Sequence, residues 1–216
     1  DEVTNATVTR NKVAAINSPS STGYSAIGLS VAPAASGTNL IANNMISGVV
    51  SQATPSDATM GMYIVAASGG TTRVAFNSVS MTGTRGAATN PSFALALAGT
   101  DAAVELAGNA FANTQTSTST GKSYAIGLAY STYANLVSDH NDLYSAGGNS
   151  AFATVGGLTA GTDQANLAAW QLTLGDRAAI AVVHQPFPEV QDDLALGGRY
   201  AFGDGFRADY SRVSHG

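Results

Sequence analysis

Ile41-Ala42-Asn43-Asn44-Met45-Ile46 sets an asparagine, Asn44, three residues after one branched apolar side chain and two before another. The same setting returns along the chain. Val74 and Val79 flank Asn77, Leu106 and Phe111 flank Asn109, and Val8 and Val13 flank Asn11. A further copy, Asn141, keeps Leu143 after it but has Ser138 before it. The asparagines Asn11, Asn44, Asn77, Asn109 and Asn141 are 33, 33, 32 and 32 residues apart. Self-similarity at such a period marks a solenoid or array, in which a unit buries its apolar face only by stacking on its neighbours.

Each unit holds a second segment that alternates large and small side chains. Examples are Tyr24-Ser25-Ala26-Ile27-Gly28-Leu29, Met60-Gly61-Met62-Tyr63-Ile64, Phe93-Ala94-Leu95-Ala96-Leu97 and Tyr124-Ala125-Ile126-Gly127-Leu128, and Phe152 opens a weaker further copy. Period-two alternation of this kind fits a strand with one face in a narrow core and the other exposed. A third short strand leads into the asparagine, as in Thr38-Asn39-Leu40-Ile41 and Ala103-Val104-Glu105-Leu106. Three short strands in about 32 residues describe one coil of an all-β, right-handed parallel β-helix, with four to five coils in the chain. Equivalent strands then stack at about 4.8 Å.

Stacking gives the asparagines a role, because a side-chain amide both donates and accepts along the stack and satisfies turn backbone that would otherwise be buried unpaired. An internal ladder of Asn11, Asn44, Asn77, Asn109 and Asn141 is expected, with Val13, Ile46, Val79, Phe111 and Leu143 as a core stack beside it. The plainer alternative is that Asn recurs in surface turns because it tolerates left-handed backbone.

Composition agrees with many short strands. Charged residues are 11% of the 216, Gly numbers 24, and Lys occurs only at Lys12 and Lys122. Long surface helices draw on Glu, Lys, Arg and Leu, which are scarce here. A net charge of −5 with scattered Lys and Arg offers no footprint for nucleic acid. No apolar run approaches the roughly 18 residues of a membrane-spanning helix. Zero Cys removes disulfides and thiolate chemistry. No basic-then-apolar leader precedes Asp1, which makes an exported chain a mature or excised piece.

Residues 17–23, 51–59, 83–92 and 114–123 vary from coil to coil and are rich in Ser, Thr, Pro and Gly. Because they share one place in the repeat, they are expected on one side of the solenoid, where repeat proteins commonly bind. After Asn141 the period fails. Residues 163–176 read as a helix, with Thr162 or Asp163 as N-cap and Gly175 as C-cap, and 178–183 as a last strand. Trp170 on that helix is expected to cap the open end of the β-helix. The solenoid with its cap then occupies residues 1–188, and 189–216 form a linker or the start of a further module.

Asn43-Asn44-Met45-Ile46-Ser47-Gly48, Phe76-Asn77-Ser78-Val79, His140-Asn141-Asp142-Leu143-Tyr144 and Asn166-Leu167-Ala168-Ala169-Trp170-Gln171 through Gly175-Asp176 carry a resemblance. They resemble the right-handed β-helix regions of large bacterial secreted and cell-surface proteins, many from Bacteroidetes-like lineages. In that family an Asp-Pro segment closes the module; here His184-Gln185-Pro186-Phe187 and Asp193-Leu194-Ala195-Leu196 stand there, so His184 replaces the Asp. The resemblance implies extracellular surface display more than a reaction.

Parallel β-helices also host polysaccharide lyases and glycosidases, which need paired carboxylates or carboxylates holding calcium. Asp139, His140 and Asp142 are the densest candidates. Equivalent positions on the other coils do not supply acids: two residues before each Asn stand Thr9, Ala42, Ala75, Ala107 and Asp139. The expected function is therefore a non-catalytic structural or adhesive solenoid without cofactor or metal, its partners a further copy end to end or a surface carbohydrate. The carbohydrate-active β-helix is the alternative.

Overall fold

The computed structural model describes residues 4–19, 26–33, 36–52, 58–99, 103–174 and 178–179. The chain forms a parallel β-solenoid of about four turns. Its first coil holds β1 (Thr7–Thr9), β2 (Lys12–Ala14), β3 (Asn17–Ser18) and β4 (Ile27–Val31). Next come β5 (Thr38–Ala42), β6 (Met45–Ser47), β7 (Val50–Ser51) and β8 (Thr59–Val65), then β9 (Thr71–Ala75), β10 (Ser78–Met81) and β11 (Ser92–Ala98). β12 (Ala103–Ala107), β13 (Ala110–Asn113) and β14 (Ser123–Leu128) are followed by β15 (Leu136–Asp139), β16 (Asp142–Ser145) and β17 (Ser150–Val155). The described chain ends with β18 (Thr162–Gln164), α1 (Leu167–Leu174) and β19 (Ala178–Ala179).

Strands in equivalent places stack into long sheets ordered β1-β5-β9-β12-β15-β19, β2-β6-β10-β13-β16 and β4-β8-β11-β14-β17-β18, with β3 on β7 beside them. The named pairings are parallel except β17 with β18. Register keeps like residues in line: Val13, Ile46, Val79, Phe111 and Leu143 stack one above another, as do Val8, Ile41, Val74, Leu106 and Ser138. From the third sheet, Leu29, Met62, Leu95, Ile126 and Ala153 close the core.

That third sheet departs from simple alternation. In β11, Ala94, Leu95 and Leu97 belong to the interior cluster, whereas Phe93 and Ala96 belong to a second cluster on the outer face with Met60, Ala58 and Tyr124. The expected exposed face is instead covered, and Ser92 to Leu97 are all buried. The interior place beside Leu95 runs Gly28, Gly61, Ala94, Ala125 and Phe152 through the coils. It is small because space is short: a Cβ on Gly61 would lie 2.3 Å from Val79 Cγ1, and one on Gly28 2.7 Å from Ile46 Cγ2. Phe152 therefore does not stack on Tyr124, as the repeat suggested; Ala151 does, and Phe152 turns into the core near the closed end.

The helix is shorter than the sequence suggested. Thr162 and Asp163 lie in β18, which folds back antiparallel on β17 with Thr154 opposite Asp163. The N-cap is Asn166, whose Oδ1 accepts the Ala169 N–H at 3.0 Å. Helix α1 packs on β18 and β19, with Trp170 and Leu174 buried in the interior cluster. β19 adds to β15, Ala178 opposite Ser138. Gly175, the rest of the expected last strand, His184, the closing segment and the tail lie outside the described residues. At the other end β1, β2 and β4 carry no further strand on their outer edge among the described residues.

Candidate functional site

The asparagine turn is built the same way in each coil. Arg10, Asn43, Phe76, Gly108 and His140 adopt left-handed backbone, with φ of 59°, 56°, 56°, 63° and 52°. Each turns the chain from the first sheet to the second, and the next residue is the asparagine. Its backbone N–H and Nδ2 both donate to Oδ1 of the asparagine one coil on, at 2.8–3.1 Å from Asn11 through Asn44, Asn77 and Asn109 to Asn141. The Nδ2 atoms of Asn44, Asn77, Asn109 and Asn141 also donate back to Val8, Ile41, Val74 and Leu106 carbonyls. Every one of these four amides is buried, while Asn11 is exposed. The geometry is structural: the rungs face one another and leave nothing for a ligand.

The carboxylate candidates are arranged less favourably for catalysis. Asp139 ends β15 and Asp142 begins β16, so the His140 turn places them on different sheets. His140 Nδ1 lies 2.7 Å from Asp139 Oδ1, with the His side chain 73% exposed. Thr9, Ala42, Ala75, Ala107 and Asp139 stand in one register row, so no carboxylate faces Asp139 from the neighbouring coil. Among the described residues no group of three or more His, Asp or Glu could hold a metal ion. A shallow depression of about 380 Å³ on the first sheet, beside the Arg73–Glu105 pair at 3.3 Å, is lined by Thr38, Thr71 and Val137. A surface pair of this kind contributes little energy.

The loop side is more ordered than a set of independent insertions. Thr84 bridges Thr116, and the Thr116, Thr118 and Gly121 N–H groups donate to Gly83, Gly86 and Ala88 carbonyls of the coil before. Residues 20–25 and 53–57 of this side lie outside the described residues. Beneath the ordered pair of loops lies Arg85, 1% exposed. Its guanidinium donates to the carbonyls of Asn90, Gly121 (3.0 Å) and Lys122 (3.1 Å), and its Nε has no partner among the described residues. Burial draws its pKa down to about 10, so it remains charged at neutral pH. A second buried polar group stands next to it: Asn113 Nδ2 donates to Ser92 and Tyr124 carbonyls, and Gln115 Nε2 reaches Val49 O at 2.7 Å.

Where these loops meet the β17–β18 turn, a pocket of about 150 Å³ opens. Asp163, carried back by β18, accepts the Tyr124 hydroxyl at 2.7 Å and pairs with Lys122. Burial opposes ionisation of Asp163, but hydrogen bonds from Lys122 and Tyr124 outweigh it and hold the carboxyl below its ordinary value. Burial, with the Asp163 contact, pushes the Tyr124 phenol well up, so it stays a donor. The Tyr124 ring stacks on Phe93 with centroids 5.2 Å apart. Neither Lys122 nor Asp163 is a site candidate in the sequence, where Asp163 reads as a helix N-cap and the one signal at Lys122 is that it is one of two lysines.

No helix among the described residues is long and apolar enough to cross a membrane. No family model matches this chain, and neither does any curated protein or solved structure.

Proposed function

We propose that the chain is a non-catalytic solenoid displayed outside the cell, with a structural or adhesive role carried by its loop-bearing side. The observation that supports this most is the alanine row beside the asparagine ladder. Glycoside cleavage needs a pair of carboxylates set across the scissile bond, and Ala107 and Ala179 occupy the register places on either side of Asp139 where partners would stand. The ladder and the hydrogen-bonded loops hold one coil to the next instead. Self-association belongs to the same reading. Among the described residues β1, β2 and β4 at one end and β16 at the other carry no further strand on their outer edge, and strand edges of this kind can pair with those of a second copy.

Protease shaving of intact source cells tests display, and incubation of the purified chain with uronic-acid and neutral polysaccharides in calcium tests chemistry. Shaving is expected to release fragments of the chain, and no polysaccharide is expected to be cleaved. The Asp139–His140 contact favours the alternative, a carbohydrate-active β-helix. Turnover abolished by Asp139→Asn would establish it and overturn the proposal.

A further inference from the structure

We propose that the pocket formed by Lys122, Tyr124, Thr154, Leu158, Thr159 and Asp163 binds one neutral sugar ring, the terminal or branch residue of a surface polysaccharide. This rests on the adhesive reading above and gives it a place on the molecule. Size comes first: at about 150 Å³ the pocket is smaller than the few hundred Å³ typical of drug-sized ligands, and suits a single ring.

Donor and acceptor chemistry narrows the class. The ammonium of Lys122 keeps donors beyond the one given to Asp163, and both Asp163 oxygens keep lone pairs beyond those used by Lys122 and Tyr124. A donor beside an acceptor matches two neighbouring hydroxyls of a pyranose, each of which donates and accepts. The exposed Thr159 hydroxyl extends that pattern, and Leu158 offers an apolar wall to a ring's C–H face. Charge points the same way: Lys122, the one cation among the lining residues, is already neutralised by Asp163, so an anionic sugar would have no unbalanced cation on the pocket wall to meet.

The pocket is also held in shape before anything binds, which lowers the ordering cost of binding. Arg85 grips the carbonyls of Gly121 and Lys122 from below, Phe93 backs the Tyr124 ring, and the pairing of Thr154 with Asp163 fixes β18. A buried guanidinium with carbonyl acceptors and no carboxylate partner among the described residues is costly for stability alone. Pinning the two loops behind this pocket is a use for it.

Titration calorimetry of the 216-residue chain with methyl glucosides, galactosides and mannosides, a methyl uronoside and glycine tests the assignment, alongside retention of the chain on immobilised polysaccharides. At least one neutral hexoside is expected to bind, more tightly than its uronoside. Lys122→Met and Asp163→Asn should each weaken it about tenfold or more, about 1.4 kcal/mol. Thr159→Trp fills the pocket with an uncharged side chain from an exposed position, leaves both ion-pair residues in place, and should do the same with an unchanged melting temperature. Asp139→Asn should leave binding unchanged. Failure of the wild type to bind any neutral hexoside, preference for glycine, or binding indifferent to all three pocket variants overturns the assignment. If polysaccharide retention survives in those variants, the adhesive reading stands without this pocket; if the wild type is not retained at all, the adhesive reading falls too.

Discussion

Replacing Asn77 with Ala removes the middle rung of the ladder. The Asn77 side chain accepts the Asn44 N–H at 3.0 Å and Asn44 Nδ2 at 2.9 Å, and donates to Ile41 O at 2.9 Å and Asn109 Oδ1 at 3.0 Å. After truncation Asn109 Oδ1 still receives the residue 77 backbone N–H. The Asn44 N–H and one Asn44 amide hydrogen do not recover partners, because the site is fully buried, and the Ile41 carbonyl loses a donor. Each orphaned buried group costs about 1–3 kcal/mol, so even with partial relaxation the loss should be about 3 kcal/mol or more. Asn11→Ala is the internal control. Asn11 is exposed, its backbone N–H keeps Asn44 Oδ1, and water replaces the Nδ2 donor at Thr9 O, so the expected cost is under about 1 kcal/mol. Urea unfolding with matched m-values measures both. Equal losses at the two positions would refute the ladder as a source of stability.

Phe76→Asn should leave stability unchanged or raise it by up to about 1 kcal/mol, because Phe76 holds φ of 56° with its side chain largely exposed, and asparagine tolerates that backbone at lower cost, as at Asn43; thermal unfolding checks this. Arg85→Met should destabilise by about 2 kcal/mol through the carbonyls of Asn90, Gly121 and Lys122, offset in part by removal of a buried charge. Limited proteolysis should then cut first within residues 86–91 or 118–122. Asp163 is held below its ordinary value of 3.8, so its contribution to stability is complete above that value and is lost as pH falls through the lower folded value. Urea midpoints between pH 6 and 2 should show an acid step that shrinks in Asp163→Asn.

Much of the fold was legible because a stack repeats both residue type and spacing. Asn44, Asn77 and Asn109 need one coil's length between them to reach one another, and only a period of 32–33 residues supplies it. The left-handed residue before each rung was not legible. Arg10 and Phe76 have no local preference for that backbone; the rungs on either side impose it. The third sheet misled for a related reason. Gly28 and Gly61 read as the small, outward half of an alternating strand, yet they point inward, where Ile46 and Val79 leave no room for a Cβ. At the closing end, Thr162, Asp163 and Asn166 are all good N-cap residues, and the pairing of β18 with β17 decides that Asn166 serves.

The site divides along the same line. Asp139, His140 and Asp142 were visible because they are close in sequence, but the register puts Ala107 beside Asp139 and the turn puts Asp142 on another sheet. The pocket was invisible because its parts are 41 residues apart, Lys122 to Asp163, which is not one period. They meet only because the chain reverses after β17 and runs antiparallel at β18. A stack of regular coils tends to present one row of similar residues on each face, and here the exposed Arg73–Glu105 pair on the first sheet departs from that pattern within the regular coils. Chemistry of mixed character, an ammonium beside a carboxylate beside a phenol, arises where regularity stops. In this chain that place is the closing turn, and the buried Arg85 lies under the loops that complete it.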